Sequence, residues 1–192
     1  MGKLREFLGE YNDLDKALRR PELVRKLSIQ FDKIPADYSF ELAKFTKLRL
    51  LDIRGPVNYT RHLPEQIGGL KTLKRLSILN IPLEELPNWI YSLSNLEYLM
   101  VRGCEIKSIS SEIINLRRLK TLWIENCELN LLPPELGAML SLKHLSISDT
   151  KLNIIDIENL PPNLETLNVV MTYIDKNEIS RIKQQKPKLK IE

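Results

Sequence analysis

Leu96-Glu-Tyr-Leu-Met-Val-Arg-Gly-Cys-Glu-Ile106 is followed by Leu119-Lys-Thr-Leu-Trp-Ile-Glu-Asn-Cys-Glu-Leu129 and then by Leu142-Lys-His-Leu-Ser-Ile-Ser-Asp-Thr-Lys-Leu152. Each stretch begins 23 residues after the one before, and the frame L-x-x-L-x-[IV]-x-x-[CT]-x-[LI] holds through all three. Working outward, further copies begin at Val24, Leu48 and Leu73 on one side and at Leu164 on the other, with spacings of 22 to 25 residues. A fixed period of this length marks an array in which each unit buries its apolar faces only by stacking on its neighbours.

Each unit has two halves. The first alternates apolar and polar residues, the pattern of a strand with one face buried and one exposed. The second reads L-P-x-x-[IL]-x-x-[LM] at Leu63–Leu70, Leu86–Leu93 and Leu132–Met139, with Ile109-Ser110 replacing Leu-Pro in a fourth unit. Apolar residues three or four apart predict a helical turn or short helix, and proline at its start has the fixed φ and missing N–H that a first turn accepts. Stacked units place their strands side by side as a parallel sheet on the inside of an arc. The expected fold class is therefore α/β: a curved solenoid with a parallel sheet on the concave face, short helices or turns on the convex face, and an N-terminal helical cap.

The frame, with L-P-x-x-I-x-x-L behind it, resembles the intracellular leucine-rich-repeat proteins, among them the arrays of plant nucleotide-binding immune receptors and of Ras-group repeat proteins. Leu48-Arg-Leu-Leu-Asp-Ile-Arg-Gly55 followed by Leu63-Pro-Glu-Gln-Ile-Gly-Gly-Leu70 is especially similar to the plant receptors, and Leu160-Pro-Pro-Asn-Leu-Glu-Thr-Leu-Asn-Val169 to units of secreted bacterial repeat effectors. The resemblance covers residues 24 to 174 and implies a leucine-rich-repeat solenoid that works by protein–protein interaction, in signalling or immunity.

At 192 residues and 43% hydrophobic content the chain can bury one continuous core, and no low-complexity linker divides it. The expected division is an N-terminal helical cap over 1–22, an array of about seven strands over 23–174, and a C-terminal cap over 175–192. The first cap is read from Leu4, Phe7, Leu8, Tyr11, Leu14 and Leu18, a helical stripe that ends at Pro21. At the other end Ile174, Ile179 and Ile182 predict a short helix, and Leu189 with Ile191 a strand-like closure. Lys183, Lys186, Lys188 and Lys190 read as a solvated edge.

No apolar signal segment opens the sequence, no run approaches the roughly 18 apolar residues of a membrane span, and Glu6 stands where a myristoylation motif wants Ser or Thr. The reading is a cytoplasmic chain in which the formal sequon Asn58-Tyr59-Thr60 is silent. Cys104 and Cys127 sit one repeat apart at the inward ninth position and are expected to be buried free thiols rather than a metal or redox pair. His62 and His144 lie more than three repeats apart, without Cys or carboxylate at metal spacing. Gly68-Gly69-Leu70-Lys71-Thr72 lacks the Gly-Lys-[Ser/Thr] junction of a phosphate loop. No catalytic residue, metal ligand or cofactor site is expected.

What remains is a surface. The third, fifth and seventh positions of each unit point out of the concave sheet. The third-position row runs Lys26, Leu50, Arg75, Tyr98, Thr121, His144, Thr166; the fifth Ser28, Asp52, Ser77, Met100, Trp123, Ser146, Asn168; the seventh Gln30, Arg54, Leu79, Arg102, Glu125, Ser148, Val170. Seven strands span about 29 Å, and these 21 positions match what one side of a protein interface supplies. Large residues gather in the middle units while Ser, Thr, Gln and Asn flank them, as at interface centres and rims. The partner-binding residues expected are Arg54, Arg75, Leu79, Tyr98, Met100, Arg102, Trp123, Glu125 and His144. The arginines favour a protein partner with an acidic or apolar patch. An alternative is a recognition or autoinhibitory fragment of a larger immune-type receptor. Nucleic-acid binding, suggested by a net charge of +4, comes third because the basic residues are scattered along the sequence. No small-molecule substrate and no membrane partner are expected.

Overall fold

The computed structural model describes residues 6, 8–30, 41–56 and 63–192. The alternating halves form strands β1 (Glu10–Tyr11), β2 (Lys26–Gln30), β3 (Leu50–Arg54), β4 (Arg75–Leu79), β5 (Tyr98–Arg102), β6 (Thr121–Glu125), β7 (His144–Ser146), β8 (Thr166–Asn168) and β9 (Lys190–Ile191). They make one nine-stranded parallel sheet in chain order. Register follows the repeat: Leu50, Arg75, Tyr98, Thr121, His144 and Thr166 stand opposite one another in turn.

The fourth and sixth positions point inward in every unit. Leu27 and Ile29, Leu76 and Ile78, Leu99 and Val101, Leu122 and Ile124, and their equivalents are at most 5% exposed. Behind β4 to β8 the chain turns through a left-handed residue at the eighth position: Asn80, Gly103, Asn126, Asp149 and Met171 all have positive φ, between 48° and 65°. Asn, Asp and Gly tolerate that conformation, whereas Met171 does so without a local hydrogen-bonding side chain to help it. The L-P-x-x-[IL] halves become 3-10 turns at Glu65–Gly69, Asn88–Ser92, Ser111–Asn115, Pro134–Ala138 and Ile157–Asn159. Their inward Ile67, Ile90, Ile113, Leu136 and Ile157 close the core from the convex side. Gly68 is small because the next repeat lies on it: a Cβ there would be 2.8 Å from Cβ of Trp89.

The ends differ from expectation in detail. Among the described residues, β1 extends the sheet beyond the repeats at one end, and β9 does so at the other, where Leu189 and Ile191 predicted a strand-like closure. Leu4 and Phe7 of the expected N-terminal stripe lie outside the described residues, as do His62 and the Asn58 sequon. Leu8 is 58% exposed, and the helix there, α1 (Leu14–Leu18), is only five residues long. Gly9 is the reason. It has φ +76°, its carbonyl accepts from Arg25 N and Lys26 N at 2.8 and 2.9 Å, and a Cβ would sit 2.4 Å from the Leu23 carbonyl oxygen. The backbone there turns into the sheet, so β1 starts where the stripe had suggested helix. At the other end helix α2 (Lys176–Gln185) is capped by Asp175, which accepts from Glu178 N at 2.7 Å, and it buries Ile182.

Candidate protein-recognition face

Strands β4 to β6 bring the large outward side chains together. Arg75, Tyr98 and Thr121 share one row; Ser77, Met100 and Trp123 the next; Leu79, Arg102 and Glu125 the third. Parallel neighbours lie about 4.8 Å apart, so long side chains on adjacent strands must touch. The Tyr98 and Trp123 rings meet edge to face with centroids 5.3 Å apart and planes at 67°. Arg75 covers the other side of Tyr98, its guanidinium carbon 4.4 Å from the ring centroid. The three form one stack, in which the Arg75 charge meets the negative face of the ring and the Trp123 contact uses the favoured edge geometry. Burial pushes the Tyr98 phenol above its usual pKa, so it stays neutral.

Tyr98, Met100, Trp123 and Leu79 are half-buried, whereas Arg54, Arg75 and Arg102 are exposed. Arg54 lies beside Leu79 in register. The acids on the face are turned aside by hydroxyl groups. Glu125 stands opposite Arg102 but accepts from Ser146 Oγ at 2.5 Å, and Asp52 accepts from Ser28 Oγ at 3.1 Å. Arg102 forms no ion pair among the described residues. Ser146, expected to be outward and open, is only 3% exposed because it lies against Glu125. His144 is half-buried and its Nδ1 is 2.9 Å from Thr166 Oγ1, one strand further on. All nine residues expected from the sequence thus lie on one sheet face, eight of them on β3 to β6 and His144 at its edge on β7. Alternation could not show the Arg75–Tyr98 stack or the Ser146–Glu125 bond, although the equal third positions of consecutive repeats put the first pair in register.

Other chemistry is sparse. Among the described residues no group of three or more His, Cys, Asp or Glu side chains is placed to hold a metal ion, and no helix is long and apolar enough to cross a membrane. Cys104 and Cys127 are buried and unpaired. Cys127 Sγ approaches the Glu125 carbonyl at 3.2 Å, and Thr150, one repeat on at the same position, donates to the Ile147 carbonyl at 2.7 Å. Burial pushes the Cys104 thiol up to about 12 and raises Cys127 as well, so neither is a thiolate at neutral pH.

Among solved structures, the fold is similar to that of a leucine-rich repeat protein from Leptospira interrogans, with a TM-score of 0.72 at 23% identity over 91% of this chain. It is also similar to an internalin from Listeria monocytogenes, with a TM-score of 0.63 at 17% identity over 94% of this chain. This chain spans 50% of the first structure and 59% of the second. No curated protein matches the sequence. The family described as a leucine-rich repeat region matches residues 24–187, from the unit that holds β2 to the end of α2. The chain belongs to the leucine-rich repeat family.

Proposed function

We propose that the chain is a non-enzymatic module that recognises another protein through the concave face, anchored at Tyr98, Met100, Trp123 and Leu79. The fold commonly serves protein–protein interaction. The observation that carries the reading is the Arg75–Tyr98–Trp123 stack, a rigid aromatic and cationic cluster at the centre of a face whose flanks are small and polar. Such centres supply most of the binding energy of an interface. Arg54, Arg75 and Arg102 favour a partner whose matching patch is acidic, with Glu125 and His144 at the edge of the contact. A plant-receptor-like or signalling role inside the cell fits the two buried, unpaired thiols, which suit a reducing compartment such as the cytoplasm.

The test uses random peptides displayed on phage and selected on the whole chain. Trp123→Ala should weaken the selected peptides about 30-fold or more, which corresponds to about 2 kcal/mol. Trp89→Ala, on the convex side, should leave their affinity unchanged. Equal binding by Trp123→Ala would remove the concave face as the site.

A further inference from the structure

The edge of the sheet where the strands begin carries a charge that the overall balance hides. Lys74 N donates to the Arg49 carbonyl, Glu97 N to that of Lys74, Lys120 N to that of Glu97 and Lys143 N to that of Lys120. This ladder lines up the residue just before each strand along one flank of the solenoid, in steps of about 4.8 Å. In the five-residue windows that lead into β3 to β9 (46–50, 71–75, 94–98, 117–121, 140–144, 162–166 and 186–190) there are twelve basic residues and two acidic ones. The whole chain holds 29 and 25, so the remainder is acidic on balance. Glu97 is shared between Lys74 at 2.7 Å and Lys120 at 2.9 Å, and Glu165 holds Lys143 at 2.6 Å. Two carboxylates cannot neutralise such a flank.

An apolar tip stands among these cations. Leu140 is 70% exposed and borders a shallow depression lined also by Lys120, Lys143, Lys188 and Lys190. Its backbone is fixed at both ends: its N–H donates to the Ala138 carbonyl at 3.1 Å, and its carbonyl accepts from Asn163 Nδ2 at 2.9 Å. A single exposed leucine is ordinary. One held rigidly within a group of lysines on the flank of a solenoid combines the two terms of peripheral membrane contact, apolar insertion and attraction to anionic headgroups. Tyr98 and Trp123, the side chains on which the bases of a nucleic acid would stack, face the concave side instead.

We propose that this flank docks reversibly on an anionic lipid surface, with Leu140 at headgroup depth and the lysines against the lipid charges. The sheet then stands edge-on to the bilayer, and the concave face stays open to a protein partner. Such docking departs from the sequence expectation of no membrane partner, which rested on the lack of a signal segment, a spanning run and a myristoylation motif, because stacking gathers cations that look scattered in sequence.

The test is cosedimentation of the whole chain with vesicles of phosphatidylcholine alone or with about one third phosphatidylserine, at low and high salt. The chain should pellet with the anionic vesicles at low salt and stay in solution with neutral ones. Lys188→Gln and Lys190→Gln should each lower partitioning about fivefold, and Leu140→Gln by a similar factor, with unchanged melts because the side chains are exposed. Equal pelleting with neutral and anionic vesicles overturns the proposal, and so does a Leu140→Gln variant that partitions normally. Duplex DNA that binds the same lysines more tightly and strips the chain from vesicles would reassign the flank to nucleic acid.

Discussion

Two sets of side chains alternate along every strand, and they behave differently. The inward set hardly varies: the fourth position is Leu in each of the seven repeats and the sixth is Ile or Val, all at most 5% exposed. The outward set changes from Ser28 and Gln30 on β2, through Tyr98, Met100, Arg102 and Trp123 on β5 and β6, to Thr166 and Asn168 on β8. The inward set meets the same neighbours in every repeat, so packing density fixes its size and shape. The outward set meets solvent, so the fold leaves it free. Fold and recognition therefore occupy separate halves of the same strands, and a change in one half should leave the other largely intact.

The largest effect should come from the inward set. Leu122→Ala removes a fully buried side chain at the middle of the sheet and should cost roughly 2 to 5 kcal/mol, read as a lower melting temperature. An unchanged melt would mean that inward and outward had been exchanged. A smaller effect is expected at the thiols, which lie just beyond the strands. Cys104 and Cys127 should react with a thiol reagent only after denaturation, and Ser at either site should cost about 1 kcal/mol. Rapid labelling of the folded chain would contradict their burial.

The smallest effect belongs to the exposed flank. The hydrogen bonds of Lys74 and Lys120 hold the Glu97 carboxyl down to about 2 from its ordinary 4.5. A depressed carboxyl stabilises the fold above its unfolded pKa and loses that contribution as pH falls through its folded value. Stability should therefore decline slightly between about pH 4.5 and pH 2, and Glu97→Gln should shrink the decline. Acid melts of the two proteins that superimpose would show that the shared ion pair contributes nothing.

Most of the sheet was legible because its period is strict. Equal spacing from Leu96 to Leu142 fixes the register, and alternation then separates Leu122 from Trp123 without any tertiary information. The ends were less legible. The N-terminal stripe suggested a helix across Gly9, where one glycine with positive φ and two hydrogen bonds to its carbonyl send the chain into β1 instead. Side-chain choices across strands were also hidden. Glu125 could pair with Arg102 or with Ser146, and only its conformation shows that the hydroxyl wins and leaves the guanidinium exposed. The basic flank was less legible because alternation singles out the third, fifth and seventh positions as outward, whereas Arg49, Lys74, Lys120 and Lys143 recur at the second, just before each strand. Stacking brings them together with Lys188 and Lys190 at the last strand.

The separation of the two sets can be measured by giving the centre of the face the chemistry of its own flanks. A triple variant, Tyr98→Thr, Met100→Ser and Trp123→Ser, replaces the outward cluster and keeps every fully buried side chain. Its thermal melt should be cooperative and less destabilised than that of Leu122→Ala alone, while the selected peptides should lose at least about 30-fold in affinity. A triple variant that melts below Leu122→Ala, or that binds those peptides as the unaltered chain does, would contradict the account.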